Sequence, residues 1–134
     1  IPETRIVNPP FVSSLSFSHD GKILAAGLGS GHVGVYNAKA CETLGAFKAH
    51  AMGVSSVEFP TFGNDLKDGL LLTAGSDKSL AMWQGVGGDM GAVKLKVRVG
   101  LPEKPNWIAT SSFGGAMVAV ADCSATIKCC YFRQ

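Results

Sequence analysis

The sequence predicts an all-β fold built from about three repeats of a four-stranded unit, the last of them incomplete. Three observations carry this reading. Val12-Ser-Ser-Leu-Ser-Phe17 returns as Val54-Ser-Ser-Val-Glu-Phe59, a step of 42 residues that keeps Val12/Val54, Leu15/Val57 and Phe17/Phe59 in phase. Within each copy the apolar residues alternate or run briefly before a turn, which is the pattern of strands and not of helices. Seventeen glycines in 134 residues supply the punctuation for many tight turns.

A repeat of about 40–45 residues is that of a four-stranded β-propeller blade. In the first unit, residues 12–49, the strands fall at Val12–Phe17, Ile23–Gly27, Val33–Tyr36 and Thr43–Phe47. His19-Asp20-Gly21 and Gly29-Ser30-Gly31 form the turns, the glycine after Asp20 supplying the positive φ that a tight hairpin needs. The second unit, residues 50–100, repeats the order at Val54–Phe59, Leu70–Ala74, Leu80–Trp83 and Val93–Val99, with an insertion absorbed in the loop Thr61–Gly69. A third unit, 106–134, offers Trp107–Ser111, Met117–Ala121 and Ile127–Tyr131 and lacks a fourth strand. Residues 1–11, with Arg5–Val7 ahead of Asn8-Pro9-Pro10, are expected to be the outer strand of a preceding blade. The chain then reads as the C-terminal arc of a longer ring.

Composition narrows the function classes. A net charge of +2 with no run of like charges gives no field for nucleic acid or an anionic membrane, so neither is an expected partner. No apolar run is long enough to span a bilayer as a helix, and the N-terminus lacks a signal-peptide layout. An intracellular protein, cytoplasmic or nuclear, is expected. Cys41, Cys123, Cys129 and Cys130 make no CxxC pair and no zinc spacing, so the expectation is reduced thiols packed in a core, with no metal and no cofactor.

The second unit reads His50-Ala-Met-Gly-Val54-Ser-Ser-Val57-Glu-Phe59 and then Leu71-Leu-Thr73-Ala-Gly-Ser-Asp77-Lys-Ser-Leu80-Ala-Met-Trp83. Both stretches resemble the WD-repeat signature. Phe17-Ser-His-Asp20-Gly21-Lys22 is similar to the family's turn between the first two strands, and Tyr36-Asn37 stands where Trp-Asp is usual. The resemblance covers roughly residues 5 to 132. It implies a structural tetrad of His50, Thr73, Asp77 and Trp83, a relay that satisfies a buried indole N–H and fixes an imidazole tautomer. The first unit has Ser30 and Tyr36 at the aspartate and tryptophan places, and the third has Ser124 and Tyr131, so those units are expected to rely on packing.

The resemblance implies a non-catalytic scaffold or adaptor whose partners are other proteins. One alternative is a substrate-recognition subunit of a cullin-RING ubiquitin ligase. In some WD-repeat proteins a Trp-Asp-x-Arg motif docks the ligase adaptor, and Tyr36-Asn37-Ala38-Lys39 is similar in character, making Tyr36, Asn37 and Lys39 candidate adaptor contacts. A second alternative is a hydrolase using His19-Asp20 or His50 with Asp77. It lacks a Gly-x-Ser-x-Gly elbow and the strand-to-helix turn that would hold a nucleophile. Gly85–Gly91 is glycine-rich but lacks the lysine and hydroxyl of a phosphate loop and leads into a strand, so it reads as a connection. Cys129 and Cys130 are neighbours in a strand, where adjacent side chains face opposite ways, so both cannot serve one site. His32, Phe11 and Phe62 read as ordinary turn or core residues.

Overall fold

The structure, a computed structural model, describes residues 11–62 and 69–132. Eleven strands form three antiparallel sheets among the described residues. The first sheet orders β1 (Val12–Phe17), β2 (Ile23–Leu28), β3 (His32–Asn37) and β4 (Glu42–Lys48) side by side. The second orders β5 (Val54–Glu58), β6 (Leu71–Gly75), β7 (Ser79–Gln84) and β8 (Lys94–Gly100) in the same way. The third holds β9 (Pro105–Ser111), β10 (Ala116–Asp122) and β11 (Lys128–Phe132). Among the described residues the one helical element is a short 3-10 turn, Met90–Ala92, which Asp89 caps by accepting from the Gly91 amide. It lies in the glycine-rich segment, which serves as the connection between β7 and β8.

Local chemistry sets the hairpins. Between β1 and β2, the Asp20 carboxylate accepts from the Ser18 hydroxyl and the Lys22 amide, and Gly21 takes φ +74°. These bonds to the ionised form hold the exposed Asp20 carboxyl below its usual pKa, the Lys22 amide contributing most. The innermost strands share one irregularity. A bulge follows Val12 in β1, Val54 in β5 and Pro105 in β9, after which Leu15, Val57 and Ile108 pair with Ala26, Thr73 and Val120. The repeat is therefore one of backbone register as well as of sequence.

The second sheet is packed on both faces, as a blade between two neighbours must be. Ala25, Val33 and Val35 of the first sheet pack against Val54, Val57, Phe59 and Leu71 of the second. On its other side the second sheet sets Leu72, Ala74, Leu80 and Met82 against Ile108, Val118 and Val120 of the third. This explains why β6 and β7 read as nearly continuous apolar runs and are buried along almost their whole length. Phe62 is buried in the second of these cores, whereas Phe11 is exposed.

One expectation fails. Cys41, Cys123 and Cys129 are exposed and Cys130 is half-buried, so the thiols are not core residues, although all four are free. Cys41 sits in the β3–β4 turn with φ +57°, and Cys129 alternates outward on β11 while Cys130 packs inward against Val118's sheet. Burial pushes the Cys130 thiol pKa up, with Cys129 adding to the effect. The expected outer strand at Arg5–Val7 lies outside the described residues, as does most of the Thr61–Gly69 loop.

Candidate functional site

His50 enters from the segment joining the first two sheets. Its amide, with that of Ala49, donates to the Gly31 carbonyl. Gly31 has φ +89°, and a Cβ there would fall 2.3 Å from the His50 carbonyl oxygen, so only glycine permits this approach. Gly75 plays the matching part on β6, where a Cβ would meet the imidazole Cγ at 2.3 Å. Gly31 thus admits the His50 backbone and Gly75 the ring, and the residue is 2% exposed.

Three side chains are arranged around it. His50 Nε2 lies 2.8 Å from the Thr73 hydroxyl, and the Trp83 indole N–H donates to that same oxygen across 3.0 Å. On the other side, His50 Nδ1 lies 2.9 Å from an Asp77 carboxylate oxygen. The carboxylate fixes the protons. Ionised Asp77 can only accept, so the imidazole carries its hydrogen on Nδ1 and donates it there, which leaves Nε2 as an acceptor. The Thr73 hydroxyl therefore gives its proton to Nε2 and accepts from the Trp83 indole, which can only donate.

Two further residues complete the site. The Ser79 hydroxyl donates to Asp77 at 2.8 Å and accepts from Arg98 Nη1 at 2.9 Å. Arg98, from the outer strand β8, also donates to the Ala49 carbonyl at 2.8 Å and lies 5.8 Å from the Trp83 ring centroid, a cation–π arrangement. Its 3.4 Å approach to His50 Nδ1 sets two donors together and is a contact, not a bond. The Phe47 ring closes the other side of Trp83 at 4.8 Å between centroids.

The electrostatics follow from this packing. Burial lowers the His50 pKa and prevails over the pull of Asp77, while the Arg98 charge adds to the lowering. Burial works to raise the Asp77 pKa, but the Ser79 hydroxyl, the Ala51 amide and His50 outweigh it, and the carboxyl stays below its usual value. The site holds a neutral imidazole, an ionised carboxylate and a capped guanidinium, each committed to a neighbour.

Arg98 and Ser79 were not legible as members. Ser79 follows Asp77 by two residues, a spacing at which a hydroxyl returns to a carboxylate across a turn. Arg98 had no such local signal, because a bulge after Met82 sets its register opposite Ala81. In the first sheet the Ser30 hydroxyl bonds His32, and half-buried Tyr36 takes the register place of Trp83. In the third, Ser124 donates to Asp122, which also pairs with Lys128 at 3.2 Å, and Tyr131 is exposed. His19, proposed with Asp20 for hydrolysis, instead directs Nε2 to the Pro60 carbonyl.

Tyr36 and Asn37 close β3 at the end of the sheet away from His50, the end where Trp83 closes the relay, and Lys39 follows in the turn to β4. Asn37 Oδ1 accepts from the Ala40 amide at 3.0 Å and so braces the turn, and Lys39 is exposed beside it.

Comparison with known families agrees with this geometry. Residues 41–84, which span the relay's His50, Thr73, Asp77 and Trp83, match the WD domain, G-beta repeat, and residues 7–61 match the WD40 domain of anaphase-promoting complex subunit 4. The chain belongs to the WD-repeat family. Among curated relatives, the WD-repeat chain is 34% identical over 82 residues to the mouse guanine nucleotide-exchange factor SEC12, covering 61% of this chain and 18% of that protein. It is 24% identical over 139 residues to the WD repeat-containing protein 53 homolog of Dictyostelium discoideum, covering 92% of this chain and 38% of that one. Its fold matches the crystal structure of the RRP9 WD40 repeats with a TM-score of 0.66 at 23% identity, over 91% of this chain and 34% of that one. The WD-repeat chain thus spans well under half the length of each relative. WD repeats of this kind form protein-interaction scaffolds.

Proposed function

We propose that this WD-repeat segment is part of a non-catalytic adaptor that holds other proteins together inside the cell, in the cytoplasm or nucleus. The observation that carries the reading is the mutual saturation of the relay. His50, Asp77, Thr73, Ser79 and Arg98 bond one another and the backbone, so the residues that most resemble a catalytic set are spent on holding loops between blades. Binding then belongs to the turns at the two ends of the sheets, which carry side chains while the strands form the cores. Affinity capture from cells tests it, using the native protein and variants in exposed turns. Turn variants should lose particular bound proteins without losing the fold. Retention of every bound protein by variants in all the turns overturns the reading.

A second reading is recognition of substrates for a cullin-RING ubiquitin ligase through the face of Tyr36, Asn37 and Lys39. The observation in its favour is that Asn37 holds the turn in a shape that leaves Lys39 free to reach a partner.

A further inference from the structure

The outer strand of the second sheet, β8, pairs with β7 along one edge, and among the described residues nothing pairs with its other edge. The sheets of this chain stack through their faces, so a neighbouring blade leaves that edge open at the rim. The main chain there has a fixed direction. The Leu101 amide donates to the Lys78 carbonyl. By the alternation of an antiparallel ladder Val99, in register with Leu80, also turns toward β7, while the N–H and C=O of Arg98 and Gly100 turn outward. Arg98 holds the strand still as well. Its guanidinium is tied to Ser79 and to the Ala49 carbonyl inside the relay, so the edge is anchored from behind and little ordering remains for an added strand to impose.

The side chains of the edge select the partner. Lys94, Leu95 and Lys96 are consecutive and exposed. Among the described residues neither lysine pairs with a carboxylate, the ion pairs being those of His50 with Asp77 and Lys128 with Asp122. Lys96 is the extra residue of the bulge opposite Met82 and Trp83. Lysines and bulges are devices that keep open edges from pairing indiscriminately. A second copy of β8 would set cations against cations, and a neutral strand would strip water from two ammonium groups without return. Carboxylates on the incoming strand remove both penalties. The outer strand of the first sheet, β4, carries Glu42 and Lys48 at its two ends with no charge between them, and so has no such preference.

We infer that the open edge of β8 is a docking site for an extended acidic segment of another protein. The segment adds as a further strand beside Arg98 and Gly100 and sets its carboxylates against Lys94 and Lys96. This site lies on the rim, apart from the turns at the ends of the sheets. Nucleic acid is not the occupant, because a sugar-phosphate backbone has no N–H to offer the outward carbonyls of Arg98 and Gly100.

A short peptide alternating glutamate and valine, added to the 134-residue chain, tests this. Binding should protect the Arg98 and Gly100 amides from hydrogen exchange, whereas the Val99 amide, already facing β7, should change little. Joint replacement Lys94→Glu and Lys96→Glu should weaken binding about tenfold, which is what two exposed ion pairs are worth together, and should leave exchange in the β2–β3 ladder unaltered. The same peptide methylated on its backbone nitrogens keeps its charge and loses its donors, and it should not bind. Equal affinity of the methylated peptide overturns strand addition and reduces the edge to an anion-attracting patch. Equal affinity of wild type and the double variant, protection confined to amides outside β8, or no binding of the parent peptide overturns the docking site.

Discussion

The Trp83 indole donates to the Thr73 hydroxyl across 3.0 Å while that hydroxyl gives its own proton to His50 Nε2, so two buried groups depend on one oxygen. Thr73 is fully buried, so neither Trp83 N–H nor His50 Nε2 has water to turn to. Thr73→Val keeps the shape and removes both partnerships. It should cost about 1–3 kcal/mol, the penalty for stranding buried polar groups. Asp77→Ala should fall in the same range, since it leaves the Ser79 hydroxyl without its acceptor and takes the charged partner from the His50 Nδ1–H, which keeps only the Ser79 oxygen at 3.0 Å. Denaturant midpoints at constant slope measure both, with Ser30→Ala in the first blade as the comparison. A loss no larger than that of Ser30→Ala excludes a stabilising relay.

Acid should weaken the fold in two stages. The His50 pKa is lowered in the folded chain, so folding favours the neutral ring. Its contribution is complete above about pH 6.5, the unfolded value, and is lost as the pH falls through and below it. Asp77 is also lowered, and its contribution is present above about pH 3.9 and lost below that. The melting temperature should therefore decline between about pH 7 and pH 5 and again in stronger acid. Following the His50 ring protons by NMR should give a midpoint below the ordinary histidine value. A midpoint above it would contradict the buried, neutral assignment.

Alkylation should separate the four thiols. Cys41, Cys123 and Cys129 are exposed, whereas Cys130 is half-buried with its pKa raised by burial, and the thiolate is the reactive species. Brief iodoacetamide treatment of the folded chain followed by peptide mass analysis should modify Cys130 last. Modification of Cys130 ahead of Cys129 would mean that β11 is turned over from the register of Val118 with Cys130.

Much of this was legible because a repeat constrains residues twice. The step from Val12 to Val54 placed the first eight strands to within a residue or two, and the spacing of Thr73, Asp77 and Trp83 along two strands and a turn placed three members of the relay on one sheet. Arg98 was hidden because its reach depends on a bulge across β7 and β8, which no local pattern announces. The cysteines were misjudged because apolar residue types were read as core. Whether Cys129 is buried depends on which face of the third sheet is covered, and that is a property of the neighbouring blade. Trp107 carried the same ambiguity, an aromatic on a face left open here.

The turn after β3 gives the most demanding prediction. Asn37 Oδ1 holds the Ala40 amide, so the residue at the aspartate place of the Trp-Asp-x-Arg pattern is engaged in shaping the turn. Tyr36 is half-buried against its own sheet, which leaves Lys39 as the candidate free to act at long range. Lysine is a point charge without the planar fork of arginine, so its contribution should be to steer encounter more than to fix a bound geometry. Lys39→Asp should then slow association of the intact protein with a cullin-RING adaptor by about tenfold at low salt, with a smaller change in dissociation, and the difference should shrink as salt is raised. Asn37→Ala, by loosening the turn, should act on dissociation instead. Surface-plasmon measurements on the two variants separate these effects. Equal association rates for wild type and Lys39→Asp, or no adaptor binding by either, remove the ligase reading and leave the adaptor function to the other turns.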